Sequence, residues 1–163
     1  TVMFSTASTI WKAWAPLKVQ TLSLAGCHGT CLDSGPSRKA RFPHNDACCF
    51  CNIALESAHH LFMGCIVGTI IWSSVLLWEN LSEAIPQNAP DLRDWWQDTR
   101  NRVHEPRRNS LNTMVLLIIW SIRRERNGWI FQNSHTPLQG IINQIKIDAM
   151  HWAEASLGRF VLF

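Results

Sequence analysis

Cys48-Cys49-Phe50-Cys51-Asn52-Ile53-Ala54-Leu55-Glu56-Ser57-Ala58-His59-His60-Leu61-Phe62-Met63-Gly64-Cys65 is the stretch on which the reading of this chain turns. It holds Cys48-x2-Cys51 followed by His60-x4-Cys65, and three thiolates with one imidazole make up a complete tetrahedral zinc shell. A two-residue spacer lets both thiolates of a tight turn face one centre, and a short helix from about Ser57 presents the imidazole. Residues five apart in an ideal helix diverge by about 140°, at about 100° per residue. The helix must therefore loosen or end between His60 and Cys65, and Gly64 stands where that can happen. Four protein donors leave no position for water, so the expected zinc, one per chain, is structural rather than catalytic. His59 competes with His60 at this level, because a shift of one residue also gives a tolerable spacing. Cys49, Cys27 and Cys31 read as buried free thiols, and Cys27-x3-Cys31 with His28 lacks partners at metal-binding spacing.

Downstream, residues 66–81 are long enough and apolar enough on most sides for a buried helix, which 85–90 ends with a proline-bearing linker. Asp91 caps the next helix, with Asp94 in its first turn and Leu92, Trp95, Trp96, Thr99 and Val103 on one stripe. Pro106 restarts the chain into a long helix in which Leu111, Met114, Val115, Ile118 and Ile122 recur at helical spacing. Arg123, Arg124 and Arg126 are expected near its negative end, with Asn127-Gly128 as its stop. Thr136-Pro137-Leu138-Gln139 supplies cap, N1 proline and N3 glutamine for a last helix carrying Ile141, Ile145, Ala149 and Trp152 on one face. Upstream, the apolar residues of 8–27 suit a helix broken or started at Pro16, and 29–45 is dense in turn chemistry and reads as an irregular loop. The nine Trp are expected in the core or between helices.

These elements amount to a mostly α fold of about five or six helices with one small structural zinc module in an irregular loop-helix segment. The expected organisation is one domain in three parts: 1–47 packed on the zinc module, 48–81 the module and the helix after it, and 91–157 the helical remainder. At 163 residues, 47% hydrophobic and 17% charged, the chain can bury roughly 70% of its extended surface without disulfides. Neither 66–78 nor 114–120 reaches the roughly 20 apolar residues of a membrane span. No basic segment followed by an apolar one opens the chain, so an intracellular, reducing compartment is expected, where six cysteines point to metal before disulfides. The net charge of +3 and pI of about 8.7 permit a nucleic-acid partner without marking one. Eleven Arg against four Lys favour phosphate forks and base stacking. The candidate contacts are Arg38, Lys39, Arg41, Arg107, Arg108, Arg123, Arg124 and Arg126.

The chemistry of several enzyme classes is missing. Asp33, Asp46, Asp91, Asp94, Asp98 and Asp148 are never adjacent, and no aromatic-x-Asp-Asp segment exists to gather two metal ions for polymerisation. Nor is there a phosphate loop, a Gly-x-Ser-x-Gly elbow or a His-Glu-x-x-His helix. No catalytic residue and no small-molecule substrate are assigned.

Cys48-x2-Cys51-x4-Glu56-Ser57-x2-His60-Leu61-Phe62-x2-Cys65, with Trp72 after it, resembles the zinc-binding domain downstream of the polymerase in plant non-LTR (LINE-type) retrotransposon reverse transcriptases. Ile10-Trp11-Lys12-Ala13-Trp14-Ala15-Pro16-Leu17-Lys18-Val19 is similar to that family's tryptophan and proline-lysine segment. Trp120-Ser121-Ile122, Glu125-Arg126-Asn127 and Phe131 are similar to its tail. Cys49 departs from the family's usual proline, Asp33-Ser34-Gly35-Pro36 from its threonine-acidic-leucine segment, and Arg123 from a common tryptophan, as in a relic copy. The resemblance implies metal ligands at Cys48, Cys51, His60 and Cys65, which favours His60 over His59. It also implies a non-catalytic piece that holds RNA or single-stranded DNA near the polymerase part of a parent polyprotein. The rival expectation is an architectural module whose zinc only orders the loop while the helices dock on protein.

Overall fold

A computed structural model of the chain describes residues 46–160. The expected segments 8–27 and 29–45, with Cys27, His28, Cys31, Arg38, Lys39 and Arg41, lie outside them. The fold is mostly α-helical. In chain order the described residues form a short hairpin, a π-helical turn (His60–Gly64), α1 (Ile66–Trp78), a 3-10 turn (Ser82–Ala84), α2 (Leu92–Arg102), α3 (Arg107–Gln132) and α4 (Leu138–Phe160). The one extended pairing among them is an antiparallel bridge between Ala47 and Leu55.

The centre is α3, against which α1, α2, α4 and the π-turn all pack. Nine consecutive residues, Leu111 to Ile119, are buried, and Ser121 and Ile122 after them. Two of the nine are polar, and one explains how. Asn112 accepts a buried hydrogen bond from the Trp96 indole at 3.1 Å, which joins α3 to α2 without an unmet polar group. The stop expected at Asn127-Gly128 is corrected: the helix runs through it to Gln132 and ends at Asn133, which takes a left-handed φ of 48°. Ser134 N–H then reaches back to the Gly128 carbonyl at 3.1 Å. A glycine costs a helix interior only about 1 kcal/mol, too little by itself to end a helix whose preceding turns are buried from Leu111 to Ile119 and at Ser121 and Ile122. Arg123, Arg124 and Arg126 consequently sit about two turns inside the helix and not in its last turn.

α2 follows its expected signals, and α4 carries its expected buried face but begins at Leu138, one residue after the expected first position Pro137, with Gln139 bonding Asn143 and not the cap. The Asp91 carboxylate accepts from the N–H groups of Arg93 (2.6 Å) and Asp94 (3.3 Å), and Leu92, Trp95, Trp96, Thr99 and Val103 are buried. In α4, Ile141 N–H bonds the Pro137 carbonyl, and Ile141, Ile145 and Ala149 are buried with Ile142 beside them.

For α1 the expectation of burial on most sides is corrected. Ile71, Trp72, Val75 and Leu76 face the core, while Ile66, Ile70, Leu77 and Trp78 are exposed among the described residues. The tryptophans divide likewise. Trp72, Trp95 and Trp96 are buried, Trp120 and Trp152 lie against the core, and Trp78 and Trp129 are at the surface. Lys146 Nζ stands 5.6 Å over the Trp78 ring, and Trp129 meets His135 edge-on at 3.8 Å. No helix among the described residues is long and apolar enough to cross a membrane.

Candidate metal centre

The hairpin supplies the first two donors. Cys48 N–H bonds the Ala54 carbonyl at 2.8 Å, Asn52 N–H bonds the Cys48 carbonyl at 2.8 Å, and Glu56 N–H bonds the Asp46 carbonyl at 2.9 Å. Closing so short a turn requires a left-handed residue, and Asn52, with φ 53°, is of the type that tolerates it. Backbone N–H groups thereby point at the sulfurs: those of Ile53 and Ala54, with His60, hold the Cys51 thiol down to about 6. Burial pushes the Cys48 thiol up to about 11, opposed by the N–H groups of Cys51 and Phe50.

The π-turn supplies the other two. Ser57 Oγ accepts the His60 N–H at 3.0 Å, and the wide turn closes with Cys65 N–H on the His60 carbonyl at 2.6 Å, an i to i+5 bond between the two ligands. The loosening required of a His-x4-Cys pair is therefore a π-turn that widens the helix and then ends at Cys65, which is extended (ψ 131°) before α1 begins. A Cβ at Gly64 would lie 3.4 Å from His60 Nδ1, at the edge of ordinary contact. Gly68 lets α1 close on the turn, since its Cβ would come within 3.0 Å of the Leu61 carbonyl oxygen. Leu61 and Phe62 are buried, and the Trp72 indole donates to the Phe62 carbonyl at 2.7 Å while its ring meets Trp95 edge-on at 5.0 Å.

The donor atoms of Cys48, Cys51, His60 and Cys65 all lie within 4.8 Å of one another. Cys48 Sγ is 3.9 Å from Cys65 Sγ, and Cys51 Sγ is 3.3 Å from His60 Nε2. Zinc bonds of about 2.3 Å to sulfur and about 2.0–2.1 Å to nitrogen set tetrahedral edges of about 3.8 Å between sulfurs and about 3.6 Å between sulfur and nitrogen. The residues present therefore fit the ion, and the cluster could bind one zinc. His59 is exposed and outside the cluster, which decides between the two histidines. Cys49 is also outside it; burial and the Glu56 carboxylate push its thiol up to about 12, so it stays protonated.

The basic candidates within 46–160 are placed differently from the ligands: they are not drawn together, and their partners belong to the protein. Arg107 reaches the Asn80 carbonyl and Glu83 (3.4 Å); Arg108 reaches the Val103 carbonyl (2.9 Å) and Glu105 (2.7 Å). Arg124 lies 3.6 Å from both Glu125 and Asp148. With Arg123 it lines a cleft of about 190 Å³ on α3, alongside Trp120, Asn127, Gly128 and Gln132. Arg126 is turned inward onto Glu56, with Nε at 2.7 Å and Nη2 at 2.6 Å from Oε1. Sequence reasoning missed that pairing, although Glu56 and Arg126 each stood in a quoted motif. No curated protein and no solved structure matches the chain. A family model described as zinc-binding in reverse transcriptase matches residues 2–72, a span that contains all four clustered donors.

Proposed function

We propose that this chain is a zinc-ordered accessory module of a reverse transcriptase-type polyprotein, of the plant LINE-type class, and that it acts by binding without catalysis. The observation that carries the reading is the convergence of three thiols and one imidazole within 4.8 Å. That donor set fills a tetrahedral shell with protein atoms alone, as in structural sites. A bound zinc would supply a cross-link between the hairpin and the π-turn. The chain's own part is to hold Cys51 and His60 on one side and Cys48 and Cys65, both buried, on the other.

The proposed ligand is RNA or single-stranded DNA, held through the arginine groups and the surface rings of Trp78 and Trp129. Base stacking on such rings contributes roughly 1–3 kcal/mol per base by alanine substitution. A second reading, docking on the polymerase part or another protein, is favoured by one observation: Arg107, Arg108, Arg124 and Arg126 already engage carboxylates and carbonyls of the chain itself. Gel-shift titration of the zinc-loaded chain separates the two. Nucleic-acid binding should weaken with salt by roughly −0.7 in log K per log salt for each phosphate neutralised on single strands. Combining Arg38→Ala with Arg41→Ala should flatten that slope with zinc content unchanged. No complex at low salt would select the docking reading. Template-dependent incorporation in a primer-extension assay would overturn the non-catalytic reading.

A further inference from the structure

The hairpin and the π-turn meet at Glu56-Ser57, and this joint is fixed from both sides. Glu56 N–H closes the hairpin on Asp46, while the Ser57 hydroxyl and carbonyl accept the N–H groups of His60 (3.0 Å) and Leu61 (2.9 Å). The angle at this joint determines whether Cys51 Sγ and His60 Nε2 lie 3.3 Å apart. The π-turn is anchored by fully buried Leu61 and Phe62, whereas the hairpin carries exposed Ile53 and Leu55 and is anchored by Cys48 with only half-buried Phe50 and Cys51 against the core. What reaches the joint from the helical body is Arg126 of α3, 70 positions along the chain. Both partners of the ion pair are largely buried, at 13% and 15% side-chain exposure, so it lies where solvent screening is weak.

We infer that Glu56 and Arg126 are positioning residues of the metal centre: their ion pair sets the hairpin against the π-turn so that two donors from each converge. The inference rests on the zinc reading and adds to it that the centre depends on a helix outside the span 2–72. Outer partners that orient metal ligands typically alter affinity 10–100-fold when removed.

The test is zinc affinity of the full chain by chelator competition, for wild type, Arg126→Met, Glu56→Gln, the double variant and Arg126→Lys. Cobalt(II) spectra of each variant serve as a readout of ligand geometry. Asp148→Asn on α4, which removes the ion pair of Asp148 with Arg124 of α3, is the control for general loosening. Each single variant should lose 10–100-fold in affinity and shift the cobalt bands, the double should lose no more than the worse single, and lysine should recover part of the loss. The inference is overturned by singles within twofold of wild type, by losses that multiply in the double, or by an equal loss in Asp148→Asn. Wild type that takes up neither ion would instead refute the zinc reading itself.

Discussion

The segment 46–65 and the helical body from α1 to α4 are held together by different means. In the body, α3 alone buries an unbroken run from Leu111 to Ile119, and Trp72, Trp95 and Trp96 fill the space between helices. Burial on that scale stabilises by roughly 25 cal/mol per Å² of apolar surface. In the hairpin, Ile53 and Leu55 are 84% and 74% exposed, and apolar burial is confined to Cys48 and the half-buried Phe50 and Cys51. What gathers in that segment instead is donor atoms. The comparison assigns the ordering of residues 46–65 to metal coordination and the ordering of the body to burial, with Glu56–Arg126 and the buried face of the π-turn as the joints between them.

Chelating the zinc should break the comparison most visibly. Structural zinc binding is worth roughly 10–16 kcal/mol in small sites, which exceeds what the hairpin's packing can replace. Hydrogen exchange should show loss of protection across 46–66 and exposure of Phe62, with the amides of α3 still protected. Equal loss in both regions would mean that the body also depends on the metal.

A cavity in the body should do the reverse. Ile118→Ala deletes a fully buried side chain of α3 and should cost about 2–5 kcal/mol in chemical denaturation, with zinc affinity unchanged within a few-fold. A comparable fall in zinc affinity would merge the two regions into one cooperative unit.

The zinc-free hairpin should also respond to pH in a defined direction. The folded Cys51 thiol is held at about 6, below its ordinary value of 9.0, so its thiolate favours the folded turn above that ordinary value. This contribution is lost as pH falls towards and through about 6. Cys48 and Cys49, at about 11 and about 12, stay protonated in the fold and oppose the effect only as pH approaches their ordinary value of 9.0, where the unfolded thiols begin to ionise. Whatever exchange protection 46–56 retains after chelation, corrected for intrinsic rates, should be smaller at pH 6 than at pH 9; the reverse would contradict the hydrogen-bonded thiolate. The smallest effect is expected at Cys49→Ala, within about 1 kcal/mol and without loss of metal.

Local signals carried far in this sequence, and long-range ones did not. Asp91 marks a helix start because a cap acts within one turn, and the Thr136-Pro137 pair places the start of α4 to within one residue. The four clustered donors were legible because their spacing is itself the chemical constraint. The width of the turn was legible only as a requirement, since the angle between His60 and Cys65 demands loosening but does not say how. Asn127-Gly128 misled because a local stop is weak against packing, and the left-handed stop at Asn133 has no glycine to announce it. Polar Asn112 conceals the full burial of α3, for its partner Trp96 lies on another helix. Glu56 and Arg126 stand 70 residues apart, and no periodicity connects them.

Native mass spectrometry of the purified full chain tests the central claim most directly. One zinc per chain is the predicted result, sharply reduced in Cys51→Ser and in His60→Ala. A metal-free native protein, or full zinc retention in both variants, would contradict the account.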